Sequence, residues 1–177
     1  MNEFLTYEYV AAPPKKKKLQ VLLIIGYVFY ILVPLFFVTT VAKPFLPLYA
    51  IVPLTLCIVV LLTWPMTNPE YEYSMTSGIL TFAVIYGGRR RKKQFEAKIK
   101  DMAAIAPYSK MYSDKIAEYD PAKSYEGVSS LDAEGVYFAL FENEKGEKCV
   151  YYFEATDRAL KILRHYNPKT VVTPVKF

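Results

Sequence analysis

Two long stretches of this chain carry no charge, and they constrain it more than anything else. Leu19 to Ala42 runs 24 residues without an Asp, Glu, Lys or Arg, and Pro44 to Pro65 runs another 22. At about 1.5 Å per residue the first makes roughly 36 Å of helix, enough to cross a hydrocarbon core of about 30 Å with some tilt. A soluble protein can hide such helices only inside a large core. The rest of a 177-residue chain is too short to supply one. The pair predicts a transmembrane helical hairpin. The first stretch is too long for the apolar part of a secretory signal and lacks a small-residue cleavage site, so no cleaved leader is expected.

Charge orients the hairpin. Lys15, Lys16, Lys17 and Lys18 stand immediately before the first span, and Arg89, Arg90, Arg91, Lys92 and Lys93 follow the second. The connecting segment has only Lys43. Basic residues stay on the cytoplasmic side, so a multi-pass plasma-membrane protein with both termini cytoplasmic is expected. Trp64 and Tyr49 suit interfacial anchors. Pro34, Pro44, Pro47 and Pro53 interrupt helix hydrogen bonding, but neither span holds the ionisable residues that usually mark a transport path. An anchor is the expectation.

The division by sequence is 1–18 as a cytoplasmic N-terminal segment, 19–65 as the hairpin and 66–177 as a cytoplasmic domain. That domain has 17 Lys and Arg against 15 Asp and Glu; without residues 89–93 the count is 12 against 15, so its basic character is one local cluster. Two cysteines and one histidine exclude a disulfide scaffold and argue against a zinc site. With 16 Tyr and 11 Phe the chain has too much apolar surface to remain disordered.

Tyr71 to Thr76 alternates large and polar residues at the period of a half-buried strand. Ser77-Gly78 marks a turn. Ile79–Tyr86 and 91–99 read as a hairpin closed by Gly87-Gly88, which reach the positive φ of tight turns, with the arginines near its tip. Met102–Ala106 is a further short strand before Pro107, and 108–134 reads as a long loop or weak insertion. Val136–Phe141 and Cys149–Phe153 pair around a turn at 144–147. Thr156 is a helix N-cap, Ala159, Leu160, Ile162, Leu163 and Tyr166 give an apolar face, and Asn167-Pro168 stops the helix. An α+β domain follows: an antiparallel bent sheet or partial barrel capped by a C-terminal helix. Phe4–Val10 is strand-prone as well, and two placements are open, an edge strand of this sheet or an interfacial segment.

The two spans, Tyr71-Glu72-Tyr73, the Gly-Gly hairpin with its Arg/Lys run and Ile105-Ala106-Pro107-Tyr108 together resemble a domain-of-unknown-function family of small two-span membrane proteins from Gram-positive bacteria. The order of elements is similar to bacterial pleckstrin-homology-like domains. The resemblance implies a binding or scaffolding domain and supplies no catalytic residues.

Nothing in the sequence argues for an enzyme. There is no phosphate loop, dinucleotide fingerprint or nucleophile elbow. His165 ends a predicted helix, Cys149 lies in a strand, and Glu142, Glu144 and Glu147 form a solvated turn without calcium-loop spacing. No cofactor is expected. Tyr71, Tyr73, Tyr137, Tyr151 and Tyr152 read as packing residues. Arg89, Arg90, Arg91, Lys92 and Lys93 read either as a solvated hairpin end or as contacts to anionic lipid headgroups, at about 1 kcal/mol each. Lys15 to Lys18 serve topology. The expected partners are the lipid bilayer and an unidentified membrane or cytoplasmic protein, a second copy of the chain being one candidate; nucleic acid is not expected. The readings are a scaffold, a sensor of anionic lipid, or an accessory subunit of a transporter or membrane enzyme.

Overall fold

The computed structural model describes residues 6–13 and 16–172. The chain divides into two compact units. One holds residues 14–69 together with Tyr86–Arg89; the other holds the residues before 14, Glu70–Ile85 and everything from Arg90 onward.

The first unit is a pair of helices. Helix α1 spans Lys17–Thr40. An eight-residue 3-10 segment, Lys43–Ala50, leads into helix α2, Ile51–Thr63, and a 3-10 turn at Trp64–Thr67 ends it. The uniform second helix expected over 44–65 is therefore in three pieces. Pro44 and Pro47 have no N–H to donate, and their three-residue spacing suits a helix of three residues per turn. At about 2.0 Å per 3-10 residue and 1.5 Å per α residue, Lys43–Thr63 still covers roughly 36 Å. α1 and the combined segment Lys43–Thr67 are long and apolar enough to cross a membrane, and neither α1 nor α2 has a buried residue. That is the reverse of a soluble protein's core helix.

Polar side chains hold the pair together. Thr63 gives its hydroxyl proton to the Val59 carbonyl at 2.7 Å and so accepts from the Tyr27 hydroxyl at 2.6 Å. Thr55 bonds the Ile51 carbonyl and accepts from Tyr30 at 2.9 Å. Tyr49 donates to the Ile31 carbonyl of α1 at 3.0 Å, close to the Pro34 break. Satisfying hydroxyls internally is what an apolar solvent demands.

The second unit contains two four-stranded sheets. The first has the order β1 (Thr6–Ala11), β2 (Pro69–Thr76), β3 (Ile79–Tyr86), β4 (Arg90–Lys98). β1 pairs antiparallel with β2 from Thr6 opposite Thr76 to Ala11 opposite Tyr71. Of the two placements open for the N-terminal segment, the edge strand is the one found. Phe4 and Leu5 lie outside the described residues. The unit is thus discontinuous in sequence: the helical pair is inserted between its first two strands. Turns with positive φ at Ser77-Gly78 and Gly87-Gly88 close the next two hairpins.

The second sheet has the order β5 (Ala104–Pro107), β7 (Val136–Glu142), β8 (Lys148–Glu154), β6 (Lys123–Gly127). β5, β7 and β8 run antiparallel, and β6 adds to β8 in parallel. Helix α4, Asp157–Tyr166, follows, with the Thr156 hydroxyl accepting from the Ala159 amide at 3.2 Å as its cap.

Segment 108–134 is not the loop that was expected. It holds helix α3, Ser113–Tyr119, and strand β6. Tyr112, Ile116 and Tyr119 cover Ala106, Phe138, Leu140 and Val150 on one face of the second sheet. Tyr73, Phe82, Phe95, Phe141, Tyr151 and Phe153 form a continuous aromatic core on the other. Rings in offset or edge contact each add about 0.5–1.5 kcal/mol beyond their burial.

Candidate functional site

The basic run lies where β3 turns into β4. Gly87 and Gly88 adopt φ of +58° and +66°. The Gly87 amide donates to the Asn68 carbonyl at 3.4 Å, which seats the turn against the end of α2. The approach is close: a Cβ on Gly87 would lie 2.7 Å from Cβ of Pro65. At the same end the Lys16 amide donates to the Thr67 carbonyl at 3.2 Å, and the Gln20 side chain reaches the Thr67 hydroxyl at 3.3 Å. Exposed Arg89, Lys16, Lys17 and Lys18 are thereby gathered at one end of the helical pair. Lys15 lies outside the described residues.

The five cations of 89–93 do not act as a set. Arg91 is paired with Glu72, a carboxylate only 5% exposed on β2. Lys93 is paired with Glu96 at 3.0 Å. Arg89, Arg90 and Lys92 have no ion-pair partner among the described residues. The expected set of five reduces to these three. Sequence reasoning missed the Arg91–Glu72 pair because its partners are 19 residues apart on strands separated by β3.

β1 is tied to the far sheet by a second polar group. The Tyr9 hydroxyl donates to Glu154 at 2.7 Å, and the Ser129 amide and hydroxyl donate to the other carboxylate oxygen at 2.7 and 2.5 Å. The Tyr7 hydroxyl bonds Thr156 at 2.6 Å, and Tyr73 donates to the Glu154 carbonyl at 2.7 Å. Burial alone would raise the Glu154 carboxyl, but the bonds from Ser129 and Tyr9 outweigh it and hold it below the usual range. The bond to Glu154, with some burial, pushes the Tyr9 phenol up to about 12.

The reactive side chains are quiet. His165 is exposed with its ring against Tyr166. Burial pushes the Cys149 thiol up, and its Sγ donates to the Glu147 carbonyl at 3.3 Å. Glu147 lies in the β7–β8 turn, bonded to Lys123 and Asn143. Among the described residues no group of three or more His, Cys, Asp and Glu could hold a metal ion. Tyr73, Tyr137 and Tyr151 are buried packing residues.

Set α3 and β6 aside, and what remains is a four-stranded meander, a three-stranded antiparallel sheet and one C-terminal helix, the element order the resemblance implied. Neither a curated protein nor a solved structure matches the chain. The family described as Bacterial PH-like domain (DUF6106) matches residues 7–173, taking in β1, the inserted helical pair and both sheets, and the chain belongs to that family.

Proposed function

We propose that this chain is a membrane-anchored, non-enzymatic binding module. α1 and α2 cross the plasma membrane, both termini are cytoplasmic, and the PH-like unit is displayed at the inner face to a protein partner. Arg89 and Lys16 to Lys18 form a collar on anionic headgroups. One observation carries this reading: the Gly87–Asn68 and Lys16–Thr67 hydrogen bonds hold cations from two distant parts of the sequence at one end of the helical pair. Charges so placed lie within a Debye length of the bilayer surface, where each contributes about 1 kcal/mol.

The test is thermal unfolding of the full-length protein in nanodiscs of phosphatidylcholine with and without phosphatidylglycerol. Anionic lipid should raise the transition at low salt. The gain should vanish at roughly 1 M salt, where the Debye length is about 3 Å, and in a variant with Lys16, Lys17, Lys18 and Arg89 changed to Gln. Equal transitions in both lipids at low salt would refute the collar.

A further inference from the structure

Four strands end the two sheets; side chains tie one of them, β1, and the chain itself covers the main-chain edge of another, β5. β1 is tied through Tyr7 and Tyr9 to Thr156 and Glu154. The free side of β5 is covered by the chain after α4: the Ile105 amide donates to the Thr170 carbonyl at 3.1 Å, and the Val172 amide to the Ile105 carbonyl at 2.8 Å. β4 and β6 are left. β4 is nine residues long, and a long unpaired edge is a template for a further strand.

A trough runs between these two edges. It consists of two depressions of about 280 and 310 Å³ that share Glu96, Asn143 and Glu144. β4 forms one wall from Lys93 to Lys98; the β7–β8 turn and the start of β6 form the other. Phe95 and Tyr125 meet at its base with ring centroids 4.9 Å apart and planes tilted by 49°. The trough is electrically polarised. Lys93, Lys123 and Lys145 stand at one end, Lys93 paired with Glu96 and Lys123 with Glu147, so Lys145 is the cation there without an ion-pair partner among the described residues. Asp101, Glu142 and Glu144 stand at the other, with Lys98 among them.

We propose that this trough takes an extended segment of a partner protein, laid antiparallel on β4 as a fifth strand of the first sheet. Main-chain hydrogen bonds to β4 supply the affinity, as in other strand-addition complexes. The charge pattern supplies direction. An antiparallel segment enters at the Asp101 end and leaves at the Lys93 end, so it carries basic residues first and acidic residues about five positions later, at roughly 3.4 Å per residue. The Lys93–Glu96 pair lies along this edge and guards it weakly, because exposed pairs contribute at most about 1 kcal/mol. The inference rests on the binding-module reading but needs no contact with lipid.

The test uses the full-length protein in neutral nanodiscs. The probe is a synthetic peptide of alternating Thr and Val with two Lys at its N-terminal end and two Asp at its C-terminal end; a control exchanges the Lys and Asp. The probe should slow amide exchange across Gln94–Lys98 and bind about tenfold more tightly than the control, by the usual cost of like-charge contacts. Exchanging charges on the exposed turn, with Glu144→Lys and Lys145→Glu together, should lower that preference while leaving the thermal transition in place. The proposal is overturned if neither peptide slows exchange in β4, or if both bind equally. It is also overturned if β4 becomes protected with rising protein concentration alone, which would make a second copy the occupant. Repeating the titration in anionic nanodiscs separates the two readings: loss of lipid-dependent stability removes the collar and leaves peptide binding intact.

Discussion

Two adjacent glycines allow the collar to be tested with a matched pair of substitutions. Gly87 and Gly88 both hold left-handed backbone, so Ala at either costs about 1–2 kcal/mol in local strain. They differ in surroundings. A methyl on Gly88 meets nothing within 4 Å, whereas on Gly87 it meets Pro65 at 2.7 Å. Overpacking of that kind costs a further 1–3 kcal/mol or so. The bond that seats the turn, Gly87 amide to Asn68 carbonyl at 3.4 Å, is worth only about 0.5–1.5 kcal/mol. The cheaper response to Gly87→Ala is for the turn to lift off the helix end and give up the bond. Gly88→Ala should therefore lower stability by the shared strain alone and keep the Gly87 amide protected from exchange. Gly87→Ala should lose that protection, and with it the share of the anionic-lipid gain that Arg89 contributes. Amide exchange and thermal unfolding in neutral and anionic nanodiscs read both effects. If the two variants behave alike, or if Gly87→Ala keeps a protected turn, the seating argument is wrong.

Three further outcomes follow from the packing. Among the described residues the fully buried Tyr151 hydroxyl has no hydrogen-bond partner, and a Cβ on Gly127 would clash with it; Gly127→Ala should cost about 1–3 kcal/mol, Tyr151→Phe should cost nothing, and the double variant should recover part of the loss in a denaturant titration. Arg91→Ala strands the buried Glu72 carboxylate and should cost about 1–3 kcal/mol, discounted for the half-exposed guanidinium; adding Glu72→Gln should restore most of it. The Glu154 carboxyl is held low, so its contribution is present above the unfolded value near 4.3 and is lost as pH falls through the folded one. Tyr9 is raised to about 12, so its contribution is full below about 10 and is lost as pH climbs through 12. Glu154→Gln should flatten stability against pH at both ends.

The hairpins were readable because their turns are chemically explicit. Ser77-Gly78 and Gly87-Gly88 bracket β3, and Thr156 caps α4 as its sequence context indicates. The layer formed by α3 and β6 was not read. α3 has seven residues, too few to show a period, and in β6 only Tyr125 and Gly127 turn inward. A signal did exist in β7. Val136 to Phe141 is an unbroken apolar run, buried at every position, and a strand of that kind needs cover on both faces. One helix at the C-terminus cannot supply two covers. At the collar, the cations themselves were legible, but their sorting was not: which arginine is pinned by Glu72 depends on the curl of the sheet, not on spacing along the chain. The N-terminal strand was legible in type only, since its partner lies across the whole helical insertion.

That insertion sets an order of events during synthesis. β1 leaves the ribosome before β2, the strand it pairs with. Its partner, β2, follows residues 12–68, which include both apolar helices. In the proposed topology the two strands meet only if the chain has crossed the bilayer and come back. A product whose second helix fails to insert leaves β2 on the opposite side, with Tyr7, Tyr9 and Glu154 unmatched. In that topology, completion of the first sheet would require correct threading of both helices.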